Sequence, residues 1–368
     1  MSLRDKLKSQ AGGTASPDLY SRFGVLSNPF PSSSQTSNNP HQRLPADDEA
    51  DARIISFLRD GKSQVVVIEG TQGVGKTNFL NFYEIEIQDV LSELDGYYVV
   101  RYLADPEASF EGTIRRLFQE LGTEHLSSLA ETLRKDRSPL ESVRSQDMKS
   151  ALQSLIECDD IEDCTRLMME WLLGFRLLKM HREALDVQFR LDTVESKTAA
   201  LRDLVLVSSK AGILKGVFLL LDELEKQDGV LGPTAVVRYL SAMRSIIDSL
   251  PNHLFMMIAV TPDAMRRYST ALPAFRSRLQ NQITLAPLAN IEEAAALAKF
   301  YIEVAISEAK KTRSGRAGTA KLVTQQQVDE SYEQLRKLGE RRGDSGVRQR
   351  EFLHLLYTIA EKTIQGTA

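Results

Sequence analysis

The chain has 368 residues, 42% hydrophobic and 26% charged, which excludes disorder as the whole answer and leaves room for two or three structural units. A net charge of −4 at pH 7 excludes a global basic field, so any nucleic-acid contact must come from a local patch. No apolar run approaches the ~18 residues of a membrane span, and the N-terminus lacks an apolar signal core, so no membrane partner and a cytoplasmic location are expected. Cys158 and Cys164 match no zinc spacing and are expected as two thiols.

Residues 1–45 read as an N-terminal arm: 26–46 are rich in Ser, Asn, Gln and Pro, a composition that buries little apolar surface. Residues 47–60 carry Ile54, Ile55 and Leu58 at helical spacing. Gln64–Glu69 is a β-branched run of the kind buried on both sheet faces, a helix is expected from Lys76 to Leu91, and Tyr97–Leu103 is a second strand. Residues 105–215 lack β-rich runs and read as a helical insertion, with the acidic stretch Asp159–Asp163 on a solvated face. Strand character returns at Val217–Leu221 and Leu254–Val260, separated by an amphipathic helix over 234–250, and a short strand follows at Ile283–Leu285. Helices are expected over 290–309, 325–338 and 348–363. Strands alternating with helices predict an α/β fold: a parallel sheet built from 46–104 and 216–288, the insertion, and a helical lid over 289–368.

Gly70-Thr-Gln72-Gly73-Val74-Gly75-Lys76-Thr77 matches G-x-x-x-x-G-K-[ST], between a strand and a helix as the motif requires. Glycines let backbone N–H groups converge on phosphate oxygens, and the helix that begins at Lys76 and runs through Asn78 points its N-terminus at the same anion. Gly70 to Asn78 are thus the candidate ATP-binding residues, with Lys76 on the β- and γ-phosphates and Thr77 on Mg²⁺. Leu219-Leu-Leu-Asp222-Glu223 ends an apolar strand in two acids. Asp222 is the second candidate Mg²⁺ ligand and Glu223 the group that activates water. Thr261, closing the next strand, either contacts the γ-phosphate or its water, or merely ends the strand.

Arg276 and Arg278 alternate around Ser277. They are either a basic turn or a finger offered to a neighbour's nucleotide, with Arg278 preferred. Arg350, with Arg348 as the alternative, begins the last helix and can bend back onto the nucleotide. Residues 301–368 hold twelve Lys and Arg against nine Asp and Glu, a net of +3, so residues 1–300 net −7. Lys310, Lys311, Arg313, Arg316 and Lys321 concentrate that charge, making the lid the candidate duplex-DNA contact or, alternatively, a solvated loop.

In this order, these residues resemble those of the AAA+ ATPases: Walker A, Walker B with Glu223, sensor 1 at Thr261, the arginine finger at Ser277-Arg278-Leu279 and sensor 2 at Arg350. The chain is most similar to the initiator-like branch, which includes archaeal origin initiators and transposition-regulator ATPases. Asn28-Pro-Phe30 resembles a segment that precedes the ATP site in that group. Glu170-Trp171-Leu-Leu-Gly174, Gly216–Glu225 and Arg350-Glu-Phe352-Leu resemble the ATP-binding proteins of BREX-type phage-defence clusters. The resemblance implies an Mg²⁺-dependent ATPase that assembles head-to-tail and acts on DNA or a DNA-bound partner. The alternatives are transposition control and a nucleotide-gated scaffold. Lys76 and Asp222 lie 146 residues apart, more than a compact AAA+ core needs, so the insertion is the expected surface for a partner protein.

Overall fold

The computed structural model describes residues 20, 22–32, 39–91, 94–103, 110–222, 233–279, 281–312, 318 and 320–366. Helix α1 (Pro45–Asp60) leads into β1 (Gln64–Glu69), α2 (Lys76–Leu91) and β2 (Tyr97–Leu103). The insertion holds α3 (Phe110–Lys135), a 3₁₀ turn (Ser138–Ser142), α4 (Gln146–Glu157), α5 (Ile161–Leu172), α6 (Lys179–Ala184) and α7 (Val194–Lys210). Then come β3 (Gly216–Asp222), α8 (Pro233–Ser249), β4 (Leu254–Val260), α9 (Pro262–Ala271), α10 (Pro273–Arg276) and β5 (Asn281–Thr284), followed by α11 (Ile291–Thr312), α12 (Gln325–Arg342) and α13 (Gln349–Gly366).

The five strands form one parallel sheet in the order β2-β3-β4-β1-β5. All seven residues of β3 and all seven of β4 are buried, as expected of parallel strands covered on both faces. The last strand is shifted from its predicted place: Asn281–Thr284 pairs with β1, because the paired backbone and not the apolar run Ile283–Leu285 decides its limits. In α1, Ile54 and Phe57 face inward and Ile55 and Leu58 are exposed. Phe57 packs edge-on to Phe218, 5.2 Å between ring centres, and a Cβ on Gly216 would meet its ring at 2.8 Å. Glycine at the start of β3 is what lets this helix seat.

The chain divides into two compact units. One comprises residues 44–69 and 80–284; the other comprises 1–43, 70–79 and 285–368. In the first, the sheet and the insertion helices share one apolar core. Gly122 (φ 74°, ψ 175°) breaks the helical path inside α3. Trp171 is buried and donates its indole N–H to the Phe189 carbonyl at 3.0 Å. The stretch Asp159–Asp163 is largely exposed, and Asp160 caps α5 by accepting from the Asp163 N–H. The expectation of two thiols is overturned: Cys158 and Cys164 form a disulfide, their Cα atoms 6.6 Å apart. The tight connection between α4 and α5 brings them together.

In the second unit, Phe30 is the one buried residue among the described positions of 26–46, and two apolar residues just before that stretch join it. Phe23, Val25 and Phe30 are buried in one cluster with residues of α11, α12 and α13. Phe30 stacks on Tyr301 at 6.4 Å. Asn28 donates its side-chain amide to the Tyr357 carbonyl at 3.1 Å and to Glu361 Oε1 at 2.9 Å, and its Oδ1 accepts from the Phe30 N–H. The Asn-Pro-Phe segment is therefore a docking strap: proline prevents helix, and asparagine satisfies polar groups while phenylalanine is buried. Leu288 and Val347 exchange both backbone hydrogen bonds, 2.8 and 2.9 Å, fixing the start of α11 beside the start of α13.

Candidate nucleotide site

The phosphate loop follows β1 in the chain. Gly73 (φ 84°) and Gly75 (φ 101°) take left-handed backbone that L side chains rarely adopt. Gly70 is required by space, because a Cβ there would lie 2.6 Å from Val74 Cγ2 and 2.9 Å from the Leu285 carbonyl. Val74 is buried and anchors the loop, while Gln72 is exposed. Lys76 is buried and donates to the carbonyls of Gly70 at 2.8 Å and Thr71 at 3.2 Å, so the ammonium sits inside the turn of its own loop. Thr77 is half-buried in the first turn of α2. The Asn78 side chain is committed elsewhere. It donates to the Asn39 carbonyl at 2.9 Å, and its Oδ1 lies 2.8 Å from His41 Nδ1. What Asn78 offers the loop is helical backbone. His41 escaped the sequence reading, since nothing in a separation of 37 residues marks the pair.

The start of α13 closes on this loop. Arg350 donates its backbone N–H to the Gly73 carbonyl at 3.0 Å. A Cβ on Gly73 would lie 3.5 Å from Arg350 Cβ and 3.6 Å from Arg348 Cβ, and one on Gly75 would lie 3.0 Å from Gln349 Oε1. Both sensor-2 candidates thus reach the phosphate loop. Their guanidinium groups differ: Arg348 is half-buried and ion-paired to Asp344 at 2.9 Å and Glu351 at 3.6 Å, while the Arg350 side chain is exposed.

Asp222 is the last residue of β3, with its side chain 1% exposed. It is not alone. Arg101 of β2, 8% exposed, donates from Nη2 to Asp222 Oδ2 at 2.8 Å and to Asn81 Oδ1 at 3.2 Å, and its Nε lies 3.7 Å from Glu84 Oε2. Burial pushes the Glu84 carboxyl above its ordinary range, against the lowering effect of Arg101. Arg101 is the residue sequence reasoning missed. Its signal was there, a lone charge in the otherwise uncharged strand Tyr-Tyr-Val-Val-Arg-Tyr-Leu. Glu223 lies outside the described residues.

Thr261 caps α9: its Oγ1 accepts from the Ala264 N–H at 3.3 Å, with Pro262 at the first helical position. A capping hydroxyl keeps its own hydrogen to donate, so the cap accounts for one half of this side chain. Arg278 is exposed and held by Asp248 at 2.6 Å. Arg276 is exposed, with no ion pair of its side chain among the described residues. Of the two, Arg276 has the less engaged side chain among the described residues. Lys310, Lys311 and Lys321 are exposed, whereas Arg313 and Arg316 lie outside the described residues. No helix among the described residues is long and apolar enough to cross a membrane.

The model of a family described as BREX system ATP-binding protein BrxC/D matches residues 111–359, more than half of the chain. The match begins after the phosphate loop, so the reading of residues 70–78 stands on their own geometry. No curated protein matches the chain. Similar solved structures include the Aeropyrum pernix ORC2 protein in ADPNP–ADP complexes, at 13% identity over 90% of this chain and 72% of that one, with a TM-score of 0.45. The Walker-type ATPase paby2304 of Pyrococcus abyssi gives 13% identity, 90% and 73% coverage, and a TM-score of 0.42.

Proposed function

The chain belongs to the BrxC/D family of BREX system ATP-binding proteins, and we propose that it is an Mg²⁺-dependent AAA+ ATPase working in phage defence. The observation that carries this is the phosphate loop: two left-handed glycines, a lysine turned into the loop, a helix start and the Arg350 N–H on the Gly73 carbonyl. Such a loop aims backbone donors and a helix dipole at phosphate. Lys76 would neutralise the β- and γ-phosphates, and Arg350, with Arg348 behind it, would answer to the γ-phosphate from the lid.

The oxygen donors of Thr77 and Asp222 suit Mg²⁺, a hard cation that takes few protein ligands and completes its shell with phosphate and water. No cluster of three or more His, Cys, Asp or Glu arranged for a metal exists among the described residues, so the nucleotide would supply most of the coordination. The cation would polarise the phosphate oxygens. Glu223 would take the proton from the attacking water, with Thr261 positioning it.

Arg276, exposed at the end of α10, supports head-to-tail assembly in which it serves a neighbour's site, because an arginine acting in trans needs a heterologous contact. The basic lid supports contact with duplex DNA or a DNA-bound partner. The insertion exposes Phe175, Leu178, Met180 and Phe189, which supports a partner protein there. The work would be done in the cytoplasm. Glu223→Gln tests the reading: ATP binding should persist while steady-state phosphate release falls at least about a hundredfold. Unchanged release would remove Glu223 from its role.

A second reading, a nucleotide-gated scaffold with little turnover, is favoured by one observation: the Asp222 carboxylate is engaged by Arg101. Phosphate release that stays at background with wild-type protein, ATP, Mg²⁺ and duplex DNA would select it.

A further inference from the structure

Arg101 carries the inference. A guanidinium nine-tenths buried needs anions around it, and this one has two of unequal standing. Asp222, fully buried, holds Nη2 at 2.8 Å. Glu84, partly exposed on α2, stands 3.7 Å from Nε, with Asn81 one turn earlier on the same helix accepting at 3.2 Å. Nη1 is buried with no hydrogen-bond partner among the described residues. A side chain with one strong anion, one weaker anion and an uncommitted donor has two places to rest.

We propose that Arg101 is the resident counter-cation of Asp222, so that Mg²⁺ reaches this carboxylate only in competition with it. Arg101 then moves its charge toward Glu84. The proposal rests on the assignment of Asp222 to Mg²⁺ given above and adds a positioning residue that no motif contains. The physical basis is that one buried carboxylate cannot hold a guanidinium and a divalent cation without strong repulsion between them at low local dielectric. Asn81 and Glu84 belong to α2, the helix whose first turn carries Lys76 and Thr77.

The test is an Mg²⁺ titration of the binding of a fluorescent ATP analogue to the full chain, read by anisotropy. Arg101→Gln removes the competing charge and should lower the half-saturating Mg²⁺ about tenfold, while Arg101→Lys, which keeps the charge, should stay within about threefold of wild type. Glu84→Gln removes the second resting place and should raise the Mg²⁺ requirement. Because it touches a partly exposed group, it carries the test if Arg101→Gln does not fold. An unchanged or raised requirement in Arg101→Gln, or an unchanged or lowered one in Glu84→Gln, would overturn the proposal while leaving the ATP reading in place. Wild-type protein that binds no nucleotide at any Mg²⁺ concentration would overturn both.

Discussion

The two compact units differ in how deeply their acids are set, among the described residues. The unit of sheet and insertion buries at least one partner of several ion pairs, beside surface pairs such as Arg137 with Glu157. Asp222 is paired with Arg101. Lys197, with its side chain 4% exposed, is 2.6 Å from Glu111, whose carboxyl it holds below the ordinary range. Fully buried Asp203 accepts from Arg202 and from the Ser145 N–H. In the unit of phosphate loop and C-terminal helices, Arg342, Asp344, Arg348 and Glu351 form a chain of bridges around the start of α13, half-buried at Asp344 and Arg348 and more open at Arg342 and Glu351. Buried pairs are expensive to break because the abandoned partner keeps its desolvation cost, whereas exposed pairs exchange with water almost freely. The fully buried acids Asp222 and Asp203 are thus the costlier ones to unpair.

That contrast can be broken by mutation. The largest effect is expected from Asp222→Asn, which leaves the Arg101 charge without its closest anion. Urea unfolding should show a loss of about 3–5 kcal/mol, while Arg342→Ala, at an exposed bidentate pair with Glu351, should leave the curve nearly superimposable. Equal losses would erase the distinction.

The next effect sharpens the contrast through pH. His125 is buried between the Tyr98 hydroxyl (2.7 Å) and the Ser208 hydroxyl (2.8 Å), and burial lowers its pKa to about 4. A folded-state value below the unfolded one means that its contribution is complete above about pH 6.5 and is lost as pH falls toward 4. Between pH 7 and pH 5 wild type should lose about 2 kcal/mol more than His125→Gln; parallel curves would place the titration elsewhere.

The smallest effect belongs to the other unit. Asn28→Ala removes the strap's bonds to Tyr357 and Glu361 and should cost about 1 kcal/mol, read as a lowered unfolding midpoint. No shift would reduce the strap to its phenylalanine.

Much of the fold was legible because continuous apolar runs and a complete phosphate-loop motif are local signals. β1, β3 and β4 read directly as strands buried on both faces, and Gly70–Thr77 announced its loop. What escaped was non-local. Nothing in the sequence says that β2 lies beside β3, so the Arg101–Asp222 pair, 121 residues apart, had no signature beyond an odd charge in a strand. Phe30 sat in a polar, proline-rich stretch whose average composition hid one buried side chain, and nothing in the sequence tied Phe23 and Val25 to the C-terminal helices. The disulfide depended on how tightly α5 follows α4, which spacing alone does not reveal. The preference for Arg278 over Arg276 could not foresee that Asp248, thirty residues away, holds the Arg278 side chain.

The hydrogen bond from the Arg350 N–H to the Gly73 carbonyl has a consequence in time. The phosphate loop leaves the ribosome early, but the backbone group that closes on it is made about 280 residues later, roughly 15–55 s at ordinary rates of synthesis. Once residue 284 has been made the sheet and insertion can fold as their own unit, while the loop waits for α11 to α13. A nascent chain of this protein therefore acquires its scaffold first and the closed form of its phosphate loop last. Translation stalled after residue 284 but before residue 350 would leave the sheet complete with the Gly73 carbonyl still unbonded by Arg350.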